Sequence, residues 1–238
     1  MSDAVIEKVD NDGVVRLTIN RPKALNALNS DVLSALEAHL VELEAHPNLR
    51  AVLITGAGEK SFVAGADITE MRDKTPEEAR AFASQALRTI KRLETLPVPV
   101  VALVNGFCLG GGCELALACD WAVASDNAIF GQPEVLLGVI PGFGGTQRLP
   151  RVIGPKAALE VIVKGDLLPA PKAAALGIIE EVIEGDLVAA AVEFAAKAAA
   201  EGRALPRSSQ RQDMIGGAAD EPGLFDDYRK SIARRARG

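Results

Sequence analysis

Histidine is scarce in this chain. There are two in 238 residues, His39 and His46, alongside one tryptophan, one tyrosine and three methionines. Both histidines fall on or just after an early amphipathic stretch, where solvated helix positions are expected. No G-x-S-x-G surrounds a serine, so a Ser-His-Asp hydrolase has little support. Cysteine is nearly as rare. Cys108, Cys113 and Cys119 are odd in number and clustered, which argues against a disulfide framework and for a reducing, cytoplasmic compartment. No histidine or fourth cysteine lies nearby to complete a zinc site, so buried small apolar side chains are the better account, and no metal is expected. No apolar run approaches the ~20 residues of a membrane helix. The opening MSDAVIEKVD does not read as a secretory leader. Positive charge is not in excess either. The net charge of -6 argues against nucleic acid as a partner. What remains is a chain 48% hydrophobic and 24% charged, suited to one globular core.

Apolar segments around Asn11-Asp12-Gly13, Val5–Val9 and Val14–Asn20, read as a hairpin. Ser30 is expected to cap a helix over Asp31–Ala45, with Val32, Leu33, Leu36, Leu40 and Leu43 on one side. Ala51–Thr55 reads as a buried strand. Thr75-Pro76-Glu77-Glu78 has the form of a capping box, opening a helix to about Leu93. Pro97–Val104 reads as another strand, with its prolines at the start. Elements then alternate through Trp121–Ser125, Lys156–Val163, Pro171–Leu176, Ile178–Ile183 and Leu187–Ala200, so the class is α/β. No internal repeat is visible. After about Glu201 the apolar periodicity fades. The expected division is a catalytic core over 1–200 and an extension over 201–238. Within the extension, Pro206 to Gly223 reads as a linker and Leu224–Arg237 as a short basic-ended helix.

The chemistry concentrates in VVALVNGFCLGGGCELALACD, residues 100–120, and in the Gly131-Gln132-Pro133-Glu134 that follows. The glycine run is not a dinucleotide fingerprint, because Gly110-Gly111-Gly112 continues into Cys113, Glu114 and Leu115 rather than G-x-G-x-x-G. A helix opening near Gly111 directs free N–H groups and a positive dipole end at whatever lies before it. A second glycine turn, Val63-Ala64-Gly65-Ala66-Asp67, follows the Ala51–Thr55 strand and could present another free N–H. A single turn of this kind is more often only a tight turn, with Asp67 capping a helix. Two such turns accompanied by two glutamates in apolar settings, Glu114 and Glu134, favour acid/base chemistry beside a backbone anion hole. Beside Phe130, Val135 and Leu136, Glu134 is expected to be the desolvated carboxyl that holds a proton.

Several segments together resemble the crotonase (enoyl-CoA hydratase/isomerase) family. They are Arg21-Pro22-Lys23-Ala24-Leu25-Asn26-Ala27-Leu28, Ala64-Gly65-Ala66-Asp67-Ile68, Asn105-Gly106 through Gly110-Gly111-Gly112-Cys113-Glu114-Leu115, Gly131-Gln132-Pro133-Glu134 and Pro141-Gly142-Phe143-Gly144-Gly145-Thr146-Gln147-Arg148-Leu149. Each alone is weak; their order and spacing across roughly residues 5–195 make the set specific.

The resemblance implies a spiral of β-β-α turns with a helical C-terminal extension, associating as homotrimers or hexamers. It implies an acyl-CoA substrate, with CoA part of the substrate and no separate cofactor. By similarity, the amides of Ala66 and Gly111 form the oxyanion hole for the thioester carbonyl. Glu114 activates water for attack at the β-carbon, Glu134 delivers a proton to the α-carbon, and the Gly142 amide helps hold the water. Lys23, Ala24 and Leu25, and Ala64, Gly65, Asp67 and Ile68 with Gly110, resemble the substrate-contacting strips. Because both glutamates are present, the chain resembles a hydratase that adds water across the trans-2 double bond. Residue 69 is threonine where many family members place a lysine near the CoA phosphates. The tail resembles the connector after the hydratase part of multifunctional fatty-acid β-oxidation proteins. Another enolate reaction in the same hole (isomerisation, dehalogenation or thioester hydrolysis) and a non-catalytic acyl-CoA-binding module are the alternatives.

Overall fold

In the computed structural model, residues 3–9, 13–201, 203–216 and 223–235 are described. Strands β1 (Val5–Val9) and β2 (Val14–Ile19) pair antiparallel, Val5 opposite Ile19 and Val9 opposite Val15. Asn11 and Asp12 of the expected turn lie outside the described residues. Alternation along β2 sends Val15, Leu17 and Ile19 inward.

Helix α1 (Ser30–Glu44) follows, with Val32, Leu33, Leu36, Leu40 and Leu43 buried as expected. Its cap is Asn29 rather than Ser30: Asn29 Oδ1 accepts from the Val32 N–H at 3.0 Å. Ser30 is instead the first helical residue, and its N–H and hydroxyl both donate to Glu70. His39 is not solvated. It falls on the same stripe as Val32, Leu36 and Leu43, is buried, and sets Nδ1 2.9 Å from Glu7 Oε2.

The next segments repeat a structural unit that leaves no repeat in the residues themselves. The first unit is β3 (Ala51–Gly56) and β4 (Ser61–Val63), with helices α2 (Ile68–Arg72) and α3 (Pro76–Leu93). The second is β5 (Val100–Val104), β6 (Phe107–Leu109) and α4 (Gly111–Ala118). The third is β7 (Trp121–Ser125) and β8 (Ile129–Gly131), then a 3-10 turn over Pro133–Leu137, α5 (Gly145–Ile153) and α6 (Pro155–Lys164). Strand β9 (Leu168–Pro169), α7 (Ala170–Leu176), β10 (Glu181–Ile183), α8 (Leu187–Ala200) and α9 (Leu224–Arg235) complete the described elements. The first strand of each unit enters a six-stranded sheet, ordered β1-β2-β3-β5-β7-β10. The second enters a four-stranded sheet, ordered β4-β6-β8-β9. Successive units pair in parallel in both sheets. The chain therefore climbs as a spiral, one step per unit.

The larger sheet is covered on both faces, so its strands read as unbroken apolar runs. Val52, Ile54, Val100 and Ala102 belong to the main core, while Leu53, Val101, Leu103 and Val123 pack with Ala191 and Ala195 of α8. Thr75 forms the expected capping box with Glu78 on α3. The Pro97–Val104 strand begins only at Val100, because prolines cannot donate to a ladder. Of Ile178–Ile183, only Glu181–Ile183 is strand. All three cysteines are free and buried.

The stretch expected as a linker starts with a tightly held segment. Arg207 donates to Asp120 Oδ2 at 3.0 Å and to the carbonyls of Leu93 and Leu96. Ser208 Oγ donates to the carbonyl of Leu117, near the end of α4. The closing helix begins at Leu224 as expected, and Tyr228 donates its hydroxyl to Lys156 O at 3.3 Å. Residues 217–222, within the expected linker, and Ala236 and Arg237, at the expected helix end, lie outside the described residues.

Candidate active site

A cleft open to solvent lies where α4 and the α3 helix meet the turn after β4 and the 3-10 turn after β8. Glycine sets its geometry. Gly112 brings α4 hard against β4: a Cβ there would fall 2.0 Å from Val63 O. This close approach carries Gly111 to Ala66, with the Cβ position of Gly111 3.3 Å from Ala66 N. Ala66 is itself fixed by its neighbours, since Leu28 N–H donates to Gly65 O and Asp67 N–H to Leu28 O. Among the described residues, neither the Ala66 N–H nor the Gly111 N–H has an acceptor. The two expected amides thus stand together, unsatisfied, at one wall of the cleft. The Gly111 amide also carries the positive end of α4.

Glu114 lies one turn into α4 and is 1% exposed. Its Oε1 accepts from the N–H groups of Phe143 and Gly145, each at 2.7 Å. Burial pushes its pKa up to about 7. The Glu134 charge adds to this, and the two N–H donors hold it back. Glu134 is the second residue of the 3-10 turn, is half-buried, and has its pKa raised by burial. With its nitrogen turned toward Glu134, the buried Gln132 amide donates to both Glu134 oxygens, at 2.9 and 3.1 Å. Val135 and Leu136 do not dry this carboxyl, because both side chains are exposed. Glu114, not Glu134, is the more deeply buried of the two.

Gly142 lines the cleft, but the amides that fix Glu114 belong to its neighbours Phe143 and Gly145. Phe143 is held in turn by Arg148, whose Nη1 donates to its carbonyl at 3.0 Å. Gly144 makes room for that guanidinium: at φ +107°, a Cβ would fall 2.1 Å from Arg148 Nη1. Arg148 Nε pairs with Glu94 Oε1 at 3.0 Å, both side chains buried. Burial alone would raise the Glu94 carboxyl, but hydrogen bonds from Arg148 and Lys91 outweigh it and hold the pKa at about 2. Ser208 and Ser209 also donate to Glu94. Gln132, Phe143, Gly145, Arg148 and Glu94 were not singled out from the residues alone. The signal was that Gln132 sits inside the Gly131–Glu134 motif and Phe143, Gly145 and Arg148 inside the Pro141–Leu149 motif; Glu94 lies in neither.

The expected substrate strips run side by side. Ala64 N–H donates to Leu25 O at 3.1 Å, and Leu28 bridges Ala66. Leu25 and Asn26 take positive φ values of 50° and 58°. The buried Asn26 side chain holds that turn by accepting from Arg21 N–H and donating to Ala57 O and Ser61 O. Ala64, Gly65, Ile68 and Gly110 line the cleft. Lys23 and Leu25 line a separate groove with residues 57–61, and Ala24 lines neither. Asp67 caps α2, accepting from the N–H and hydroxyl of Thr69, and pairs with Arg21 at 2.8 Å. These bonds, that from the Thr69 hydroxyl foremost, lower its pKa. Among the described residues, no helix is long and apolar enough to cross a membrane.

Spiral and cleft together define an α/β protein of the crotonase type. The chain belongs to the enoyl-CoA hydratase/isomerase family, whose model matches residues 9–212. It is 49% identical over 198 residues to the short-chain-enoyl-CoA hydratase of Clostridium acetobutylicum, covering 83% of this chain and 75% of that one. It is 42% identical over 232 residues to the crotonyl-CoA hydratase of Syntrophomonas wolfei, covering 98% and 86%. The crystal structure of an enoyl-CoA hydratase from Bacillus anthracis superposes with a TM-score of 0.80 at 40% identity, covering 82% of this chain and 76% of that one.

Proposed function

We propose that this protein is an enoyl-CoA hydratase, adding water across the trans-2 double bond of an enoyl-CoA to give a 3-hydroxyacyl-CoA. The observation that carries the reading is the meeting of two unsatisfied amides, Ala66 and Gly111, with two carboxyls of raised pKa in one cleft. The thioester oxygen accepts from both amides. Glu114 takes a proton from water as the oxygen–carbon bond forms at the β-carbon. The electron pair of the double bond moves toward the carbonyl oxygen, and fixed donors stabilise that charge without reorganising. The α-carbon then takes a proton from Glu134. The balance closes when Glu114 releases its proton and Glu134 regains one. Because the Glu134 charge raises the Glu114 pKa, the two carboxyls resist holding two charges, so a single proton between them suits both roles. Gly142 N–H is assigned to the attacking water.

Ala64, Gly65, Ile68 and Gly110, with the adjoining Lys23–Leu25 and Asp67 turns, are assigned to the CoA thioester. The reaction as written uses only water, so no separate cofactor enters it. Residues 1–200 are assigned to the catalytic core and 201–238 to an extension braced against it. The exposed apolar run over residues 135–140, with Leu136 71% and Ile140 75% exposed, supports association into homotrimers or hexamers. Three free thiols support a reducing, cytoplasmic compartment.

The test is mass spectrometry of crotonyl-CoA incubated with the protein in isotopically labelled water. Gain of one labelled water is expected, and Glu114→Gln should lose nearly all of it. Retention of most activity by Glu114→Gln would instead favour a reaction that needs Glu134 alone. An intact ester bound without mass gain would sink the hydratase reading.

A further inference from the structure

The length of acyl chain the cleft admits follows from how its inner end is closed, given the hydratase reading above. We infer that Phe82, braced by Lys74, is the stop that restricts this enzyme to short acyl chains. Helix α3 contributes Ala79, Phe82 and Ala83 to the cleft wall, so Phe82 is the one bulky side chain it supplies there. The Phe82 ring packs edge-on against Phe143, with centroids 5.7 Å apart. The Phe143 ring in turn lies beside Gly111, whose Cβ position is 3.0 Å from Phe143 Cδ2. An acyl chain leaving a carbonyl held at the Gly111 amide and running toward α3 therefore passes Phe143 and meets Phe82.

The ring has a second partner. Lys74 Nζ stands 5.1 Å from the Phe82 centroid, a cation–π distance. The ammonium is anchored by Glu70 at 2.8 Å, and Glu70 is anchored by the N–H and hydroxyl of Ser30 at the start of α1. Beyond this pair lies a second, solvent-open groove lined by Ser30, Glu37, Glu78 and Gln85. Phe82 and Lys74 line both spaces, so they are the partition between them. A chain of a few carbons ends against the ring in an apolar setting. A longer one must push the ring off Phe143 and away from its cation, giving up both contacts.

Specificity constants for crotonyl-CoA and trans-2-decenoyl-CoA test this. The parent enzyme should favour crotonyl-CoA. Phe82→Ala and Phe82→Leu should each raise the decenoyl-to-crotonyl ratio by roughly tenfold or more, the scale of pocket discrimination between chains differing by methylenes. Lys74→Ala, which leaves the core ring in place, should raise it less. It serves as the test if the Phe82 variants do not fold by thermal melting. An unchanged ratio in folded variants would overturn the inference and send the chain out along Leu137–Ile140 instead. If the parent hydrates neither ester, the hydratase reading fails by itself. The ratio of dissociation constants for the two esters, measured by calorimetry, then tests the partition.

Discussion

Arg148 and Glu94 form a buried ion pair, Nε to Oε1 at 3.0 Å, that lies one residue away from the Glu114 carboxyl. Arg148 also holds the carbonyl of Phe143, and the Phe143 N–H holds Glu114. The pair therefore acts on Glu114 through a peptide unit rather than by touching it. Glu94 reaches the other way to Ser208 and Ser209, which lie 114 and 115 residues further along the chain.

Arg148→Met should leave the Glu94 charge buried with too few partners. A loss of about 3–5 kcal/mol is expected from removing one member of such a pair. Urea unfolding would measure it. A loss below ~1 kcal/mol would show that water or Lys91 takes over the carboxylate.

The pH dependence follows from Glu114. A base must be ionised, so kcat/KM should rise with pH through about 7 on the acidic limb. Replacing the partner, Glu134→Gln, removes a charge that raises the Glu114 pKa, so Glu114 should titrate at lower pH in that variant. Carbon-13 NMR of labelled glutamate would read the change, and an unmoved titration would show that burial alone sets it. The stability consequence has a definite sign. Glu114 is raised above its ordinary 4.5, so its contribution is full below that value and is lost as pH rises through about 7. Glu94, held at about 2, behaves oppositely: its contribution is present above 4.5 and is lost as pH falls toward 2.

Gly112→Ala should force α4 away from β4, because the added carbon would meet Val63 O at 2.0 Å. A destabilisation of roughly 1–3 kcal/mol, typical of overpacking, is expected by denaturant titration. Turnover should fall further than stability, since the shift also parts Gly111 from Ala66. A folded variant with full turnover would show that the two amides do not act together.

The two glutamates and both glycine turns were legible because each departs from what a plain core segment needs. A carboxylate inside Cys-Glu-Leu-Ala has few structural reasons to exist, and three glycines opening a helix announce a close backbone approach. The small sheet was not legible, because β4, β6 and β8 are three residues long and too short to show alternation. Asn29 and Ser30 are both good caps, and only the distant Glu70 decides between them. His39 could have been placed inside by its spacing from Val32, Leu36 and Leu43, had its polarity not weighed more. The brace over Arg207–Ser209 was invisible for another reason: its partners, Glu94 and Asp120, are far away in sequence, and a polar, proline-bearing segment reads as a connector.

Each unit of the spiral places one strand in either sheet, and the cleft draws on several units. Ala66 comes from the first, Gly111 and Glu114 from the second, Glu134 and Phe143 from the third. No single unit holds the whole site, and the pairings that build it are long in sequence, the kind that form slowly. During refolding, secondary structure should return before any turnover does. Regained activity is then a clock for the last units to dock, and it ticks only when the spiral is whole.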